Sequence, residues 1–307
     1  NLTIKVLWLN LEQMGHSWHY CYHNKIMDTR KIINIFNEFD ISSTKDESKY
    51  KISKLESITN LNHKVEVDDK KYIIRIPGDN PDLINRSSEG VNQELVKNIG
   101  ITLPIILFEK DTGIKISEFY EDLYTFTSSD LKNKEFRDDA LDLLNRLHNS
   151  DLKFQENFSP LNVFKTLAKN NEKIENESKA IGEEIIKRLI DIGLESKPCH
   201  QDLYHANFVY LKEKAYLIDW EYSSQGDPIF DYADLIWQNE LEEHQDSIND
   251  IYKIIGIEDE KIKDKFELFQ VLSMITWGFW AKRKSPQGNK GEEVLLLAIK
   301  RYENNFS

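Results

Sequence analysis

The chain lacks most of the residues that announce a mechanism by themselves. It has two cysteines, Cys21 and Cys199, among 307 residues. Two thiols cannot build a disulfide framework, and no Cys/His cluster has zinc spacing. Such sparse use of cysteine fits a reducing, cytoplasmic compartment. Long apolar runs are missing too: the longest clean one, Leu103 to Phe108, has the length of a buried strand. With a mean hydropathy of −0.56, this excludes a membrane span. Basic residues are in deficit, 40 against 53 acidic, for a net charge of −13. That balance argues against general nucleic-acid binding, which needs clustered Lys and Arg, yet it leaves room for a local basic spot holding one nucleotide. The Walker pattern GxxxxGK[ST] is absent, which removes the main alternative route to triphosphate use.

What is present is enough to build a core: 40% of residues are hydrophobic and 11% aromatic. Residues 1–26 hold Trp8, Trp18 and three histidines without a sustained period, carry no small-residue cleavage site, and read as a peripheral leader. The functional fold is expected to start near Met27, where Ile32, Ile33, Ile35, Phe36 and Phe39 fall on one side of an amphipathic segment. From Tyr50 the pattern becomes strand-like: Tyr50–Ser57, His63–Val67 and Lys71–Ile76, with a turn at Asp68-Asp69. A helix is predicted over Leu83–Asn98, ending at Gly100, followed by strands Pro104–Glu109 and Ile114–Phe119. Beyond Tyr120 the chain reads as mainly helical, over Ser129–Leu147, Leu161–Leu194, Ile229–Glu243, Ser247–Ile255, Asp259–Lys282 and Gly291 to the end. One two-stranded element, Phe208–Leu211 with Ala215–Ile218, interrupts the helices. The division is a β-rich part over 27–119 and an α-rich part over 120–307.

The informative stretch is CHQDLYHANFVYLKEKAYLIDWEYSSQGDPIFD, Cys199 to Asp231. Phosphoryl transfer needs one carboxylate to receive the proton of the attacking hydroxyl, and a carboxamide and a second carboxylate to hold magnesium against the phosphates. Asp202, Asn207 and Asp219 offer those groups around a strand pair. An isolated Asp-x4-Asn carries little information, since most such pairs are solvated loop residues. The weight lies in the conjunction of His200 two positions before Asp202, the strand pair before Ile218-Asp219, and a basic strand residue upstream, the order of parts in protein-kinase-like enzymes.

These residues resemble the choline/ethanolamine kinases, most closely the bacterial choline kinases of the surface-glycan decoration type. That group shares the protein-kinase-like superfamily with the aminoglycoside phosphotransferases. The resemblance covers about residues 50–306. It is carried by Thr59-Asn60, Tyr72–Gly78 (YIIRIPG), Leu83–Glu89 (LINRSSE), Gly100 to Pro104, Leu147-His148, CHQDLYHAN, LIDWEYSS, DPIFDYA, and TWGFW at Thr276–Trp280. It implies an α+β, protein-kinase-like bilobal fold with a small β-rich N-lobe and a larger α-helical C-lobe. The activity implied is ATP-dependent phosphorylation of choline or a similar small amino alcohol. A kinase for ethanolamine or an aminoglycoside, and a degenerate kinase fold serving as a binding module, are the other readings.

By this resemblance Asp202 is the catalytic base, and Asn207 and Asp219 are the magnesium ligands. Arg75 holds ATP phosphates with Glu89 as its ion-pair partner. Thr59 and Asn60 lie at the nucleotide, and Glu118 and Tyr120 sit at the hinge that meets adenine through backbone groups. Without the resemblance, Arg75 and Glu89 read as an ordinary surface pair. Glu221, Trp277 and Trp280 would hold the acceptor's cation, because a quaternary ammonium has no N–H and is recognised by aromatic faces and carboxylates. On spacing alone, two Trp three apart on a helix are more often core. Asp227, Asp231 and His200 read as architecture, and Trp220 and Tyr222 as packing. Two departures stand out. Glu56-Ser57 occupy the place where the family usually has paired glycines, and the last helix (Glu292–Leu297) lacks the family's further aromatic.

Overall fold

The computed structural model describes residues 29–306 except 58–59, 79–82, 157, 169–171 and 285–288. The leader 1–26 and Thr59 therefore lie outside the described residues. The chain forms two compact units. One takes the described residues up to 78 with Ile105–Glu109 and Gly113–Tyr120; the other takes 83–104, Lys110–Thr112 and the described residues from Glu121 onward.

The first unit is built on strands β1 (Lys51–Leu55), β2 (Leu61–Val67), β3 (Lys70–Ile76), β4 (Ile105–Phe108) and β5 (Lys115–Glu118), in the antiparallel order β1-β2-β3-β5-β4. Asp68 and Asp69 both take positive φ, 52° and 57°, the twist that a two-residue hairpin turn demands. The alternation along β2 buries His63, Val65 and Val67, and the helical residues 29–38 (α1) cover that face with Ile32, Ile33, Ile35 and Phe36. Phe36 meets Tyr72 edge-on at 5.4 Å. The 3.6-residue apolar period read near Met27 is this contact.

In the second unit, α2 (Arg86–Asn98) starts at the cap Asn85, whose side chain accepts from Ser88 N, and gives way to Gly100 at φ +67°. The segment 83–104, assigned by sequence to the N-terminal part, has its partners in this unit. Asn92 donates to Ser223 O (3.0 Å) and Gln155 O (3.1 Å) and accepts from Gln155 N (2.8 Å). Leaving a buried amide unpaired is costly, and these bonds tie the helix to this unit. The remaining helices are α3 (Lys134–His148), α4 (Pro160–Leu167), α5 (Lys173–Ile192), α6 (Pro228–Gln238), α7 (Gln245–Ile255), α8 (Glu260–Lys284) and α9 (Lys290–Phe306). The predicted stretch 161–194 is thus two helices. The start of α3 also differs from expectation: Asp130–Lys132 form one 3-10 turn, and Asn133 is the cap, accepting from Glu135 N. Short strands β6 (Tyr124–Thr125), β8 (Phe208–Leu211) and β9 (Lys214–Leu217) form one sheet in the order β6-β8-β9, and β7 (Lys197–Cys199) pairs with β10 (Ser224–Gly226). At two or three residues, β6, β7 and β10 are too short to show a period. Among the described residues no helix is long and apolar enough to cross a membrane.

Helix α8 is buried all round from Leu268 to Trp280, as befits a central helix. Its approach to α9 depends on two glycines. A Cβ on Gly291 would lie 2.4 Å from Lys282 N and 2.7 Å from Gly278 O, while one on Gly278 would meet the movable end of Leu295 at 2.8 Å. Backbone cannot swing aside. Gly291→Ala is therefore expected to lose about 1–3 kcal/mol of stability in urea unfolding, and Gly278→Ala less, because overpacking is relieved where a side chain can give way.

Candidate active site

The loop from His200 to Asn207 leaves β7 and is held almost entirely by side chains of α6. Asp231 accepts from His200 N (2.9 Å) and Gln201 N (2.8 Å), and also meets His148 Nε2 (2.8 Å). Asp234 accepts from Leu203 N (2.9 Å). Asn239, just past the helix, accepts from His205 N (2.7 Å) and donates to Leu203 O (2.7 Å). These carboxylates satisfy amides that the loop cannot pair with a neighbouring strand. Gln201 is held at φ +65°. His200 is fully buried with Nε2 against Ile218 O (3.0 Å), and burial lowers its pKa. It braces the loop, as Asp231 does. Asp227 caps α6 through Ile229 N (3.1 Å) and pairs with Lys265 (2.7 Å).

This frame brings two of the three predicted oxygen-bearing side chains into direct contact. Asn207, at the end of the turn His205–Asn207, donates Nδ2 to Asp202 O (2.9 Å) and Oδ2 (3.2 Å). The β8–β9 hairpin then returns the chain, and Ile218 N donates to Asn207 O (2.9 Å). Asp219 follows directly in the left-handed conformation, φ 64°. Its charge reaches Asp202: burial first, then the charges of Asp234 and Asp219, push the Asp202 carboxyl well above the usual carboxylate range. Asp202 also accepts from Gln238 Nε2 (3.3 Å). With its Nδ2 turned to Asp202, Asn207 has Oδ1 on the opposite side. Amide and carboxylate oxygens are hard donors of the kind magnesium takes, so the chemistry of Asn207 and Asp219 fits that ion. A second grouping, His148, Cys199 and Asp231, brings ligand atoms within 4.8 Å of one another, but its carboxylate is already engaged by the loop amides.

Trp277 and Trp280 sit on α8 and are nearly buried, at 9% and 8% exposure. Trp277 stacks on Phe158 (5.7 Å, 14°) and meets Tyr222 (5.3 Å) and Trp280 (6.0 Å) edge-on. Tyr222 and Phe158 therefore belong to one aromatic cluster with the two tryptophans. Trp220 is packing, as expected, its indole donating to Thr102 Oγ1 (3.0 Å). Glu221 is buried, and Arg86 pairs with it at 3.1 Å and with Glu89 at 2.7 Å. Sequence reading missed this arginine although it lies within LINRSSE; the Arg86/Glu89 spacing of three on a helix was the available signal. Also missed was Asp234, fully buried, which accepts four hydrogen bonds: Leu203 N, Gln238 Nε2 (2.7 Å), Ser273 Oγ (2.5 Å) and Trp277 Nε1 (2.9 Å). Burial pushes its pKa up to about 6 against the pull of those donors.

The first unit carries the other predicted residues. Arg75 on β3 is buried, donates to Gly113 O (3.0 Å) and lies 5.7 Å from the Phe108 ring. Asn60 is buried, and its carbonyl accepts from Ser57 Oγ. Glu118 is exposed on β5 opposite Tyr72, and Tyr120 is half-buried. Glu56 is exposed just after β1.

Comparison with known proteins gives this geometry its setting. The family described as choline/ethanolamine kinase matches residues 52–254, about two thirds of the chain. Protein LicA of Haemophilus influenzae is 27% identical over 269 residues, which cover 81% of this chain and 97% of that protein. A crystal structure of LicA in complex with AMP, 27% identical, superposes with a TM-score of 0.75 over 90% of this chain and 98% of that one. The structure of choline kinase LicA from Streptococcus pneumoniae, 26% identical, gives 0.73 over 92% and 99%. The fold is accordingly the α+β kinase-like one, with a β-rich N-terminal part and a helical C-terminal part, and its activity class is ATP-dependent phosphotransfer. With its match over residues 52–254, the chain belongs to the choline/ethanolamine kinase family.

Proposed function

We propose that this kinase transfers the terminal phosphoryl group of ATP to the hydroxyl of choline or a closely similar small amino alcohol. The observation that carries the reading is the cluster of Phe158, Tyr222, Trp277 and Trp280, joined to Asp202 through Asp234 and Gln238. A quaternary ammonium is bound by aromatic faces, whereas a primary ammonium also needs acceptors for its N–H groups. Glu221, the carboxylate expected to face the cation, already has Arg86 as a partner, which favours choline over ethanolamine. An aminoglycoside would call for more carboxylates and fewer rings.

In this reading Asp202 orients the acceptor hydroxyl and takes its proton. Gln238 and Asn207 hold its two oxygens from opposite sides. Asn207 and Asp219 would hold magnesium, which supplies charge neutralisation on the phosphates. Arg75, Glu89, Asn60, Glu118 and Tyr120 keep the nucleotide-binding roles that the resemblance implies for them. The test is ADP release with a panel of choline, ethanolamine and aminoglycosides, comparing the parent with Asp202→Ala. Choline is expected to give the highest kcat/KM. Acceptor-dependent turnover no greater than that of the variant would instead indicate a binding module, the reading suggested by Glu56-Ser57.

A further inference from the structure

Asp234 touches no reacting group in the reading above, yet it is the point where three parts of the site meet. Its Oδ1 accepts from Trp277 Nε1 (2.9 Å) and Ser273 Oγ (2.5 Å), both on α8. Its Oδ2 accepts from Leu203 N (2.9 Å), next to the base in the chain, and from Gln238 Nε2 (2.7 Å). Gln238, one helical turn further along α6, directs the same nitrogen at Asp202 Oδ1 (3.3 Å). All four contacts are donated to Asp234, so the ionised, acceptor-only carboxylate is the form that satisfies them. Its side chain is fully buried, where such bonds are strong and a lost partner is costly.

Building on the choline kinase reading, we infer that Asp234 is a positioning residue that couples the acceptor pocket to the base. Through Trp277 it fixes the edge of the indole, and so the plane of the ring that a cation would face. Through Gln238 and the Leu203 amide it fixes the rotamer of Asp202 and the height of its loop. The indole N–H also points at a fixed negative charge, which raises electron density on the ring and strengthens its attraction for a cation. A purely structural carboxylate would lower stability and active fraction when replaced, without separating acceptor affinity from turnover. A positioning residue with two arms affects both, each through its own partner.

The experiment compares steady-state kinetics of the parent, Asp234→Asn, Gln238→Met and Trp277→Phe with choline and ATP varied separately. Asp234→Asn keeps the shape but turns an amide NH2 toward groups that already donate. It is expected to raise choline KM and lower kcat by about tenfold each, the size of one lost charged hydrogen bond, with ATP KM unchanged. Gln238→Met cuts only the arm to the base and is expected to lower kcat alone. Trp277→Phe keeps a ring but removes the N–H, and is expected to raise choline KM alone; in that background Asp234→Asn adds little further to KM. If Asp234→Asn does not fold, the opposite splits of the other two variants carry the test. An active parent in which both variants alter both constants alike, or neither, overturns the coupling alone. A parent inactive on every amino alcohol overturns the functional reading and the coupling with it.

Discussion

Asp202→Asn is expected to lower kcat by about 10²- to 10⁴-fold, the usual worth of a positioned general base. Calorimetric binding of ATP should change little. The substitution is close to isosteric, and the loop around it is held by groups other than this carboxylate: Asp231 on the amides of His200 and Gln201, Asp234 on Leu203, and Asn239 on His205. The protein should therefore fold. What changes is local. Both oxygens of Asp202 accept from amide nitrogens, those of Asn207 and Gln238, so an asparagine must set its own NH2 against one of them. It also cannot take a proton. A fall in kcat of less than about tenfold would remove Asp202 from the role of base, since base catalysis contributes more than that.

Trp277→Ala is expected to raise the KM for choline by about 30- to 100-fold, given about 2 kcal/mol or more for a desolvated cation–π contact and further loss of apolar surface. The KM for ATP should stay near that of the parent. The indole stacks on Phe158, meets Tyr222 and Trp280 edge-on and donates to Asp234, so its loss also frees the neighbouring rings to move. An acceptor recognised by carboxylates would be affected far less. ADP release measured against choline and an aminoglycoside in parallel checks this. Equal losses on both would mean that Trp277 supports the fold of α8 rather than the acceptor.

Much of this site was legible in the sequence because its parts are close together in the chain. Asp202, Asn207 and Asp219 lie around one hairpin whose strands alternate visibly, and Asp227-Pro228 declares the start of α6 by cap chemistry. The Asp68-Asp69 turn and the apolar face of α1 were equally open, since period and turn residues are local signals. Asp234 and Arg86 were not. A single carboxylate inside a helix has no periodic signature, and its meaning comes from partners distant in sequence, Leu203 and Trp277. Arg86 pairs with Glu221 across 135 positions, a separation that no local pattern records. The strands β6, β7 and β10 escaped for the opposite reason: at two or three residues they are too brief for alternation to register.

The β8–β9 hairpin has a consequence for how this protein can vary. Its ladder runs from Phe208 opposite Leu217 to Leu211 opposite Lys214, closed by Lys212 and Glu213, both at positive φ. Asn207 and Ile218 stand just outside the first rung, joined by a backbone hydrogen bond. The ribbon thus works as a caliper: its register, rather than the number of its rungs, sets how Asn207 stands to Ile218 and the Asp219 that follows. Gain or loss of one residue along either arm alone would reverse the facing of everything beyond it, so the two arms can lengthen or shorten only together.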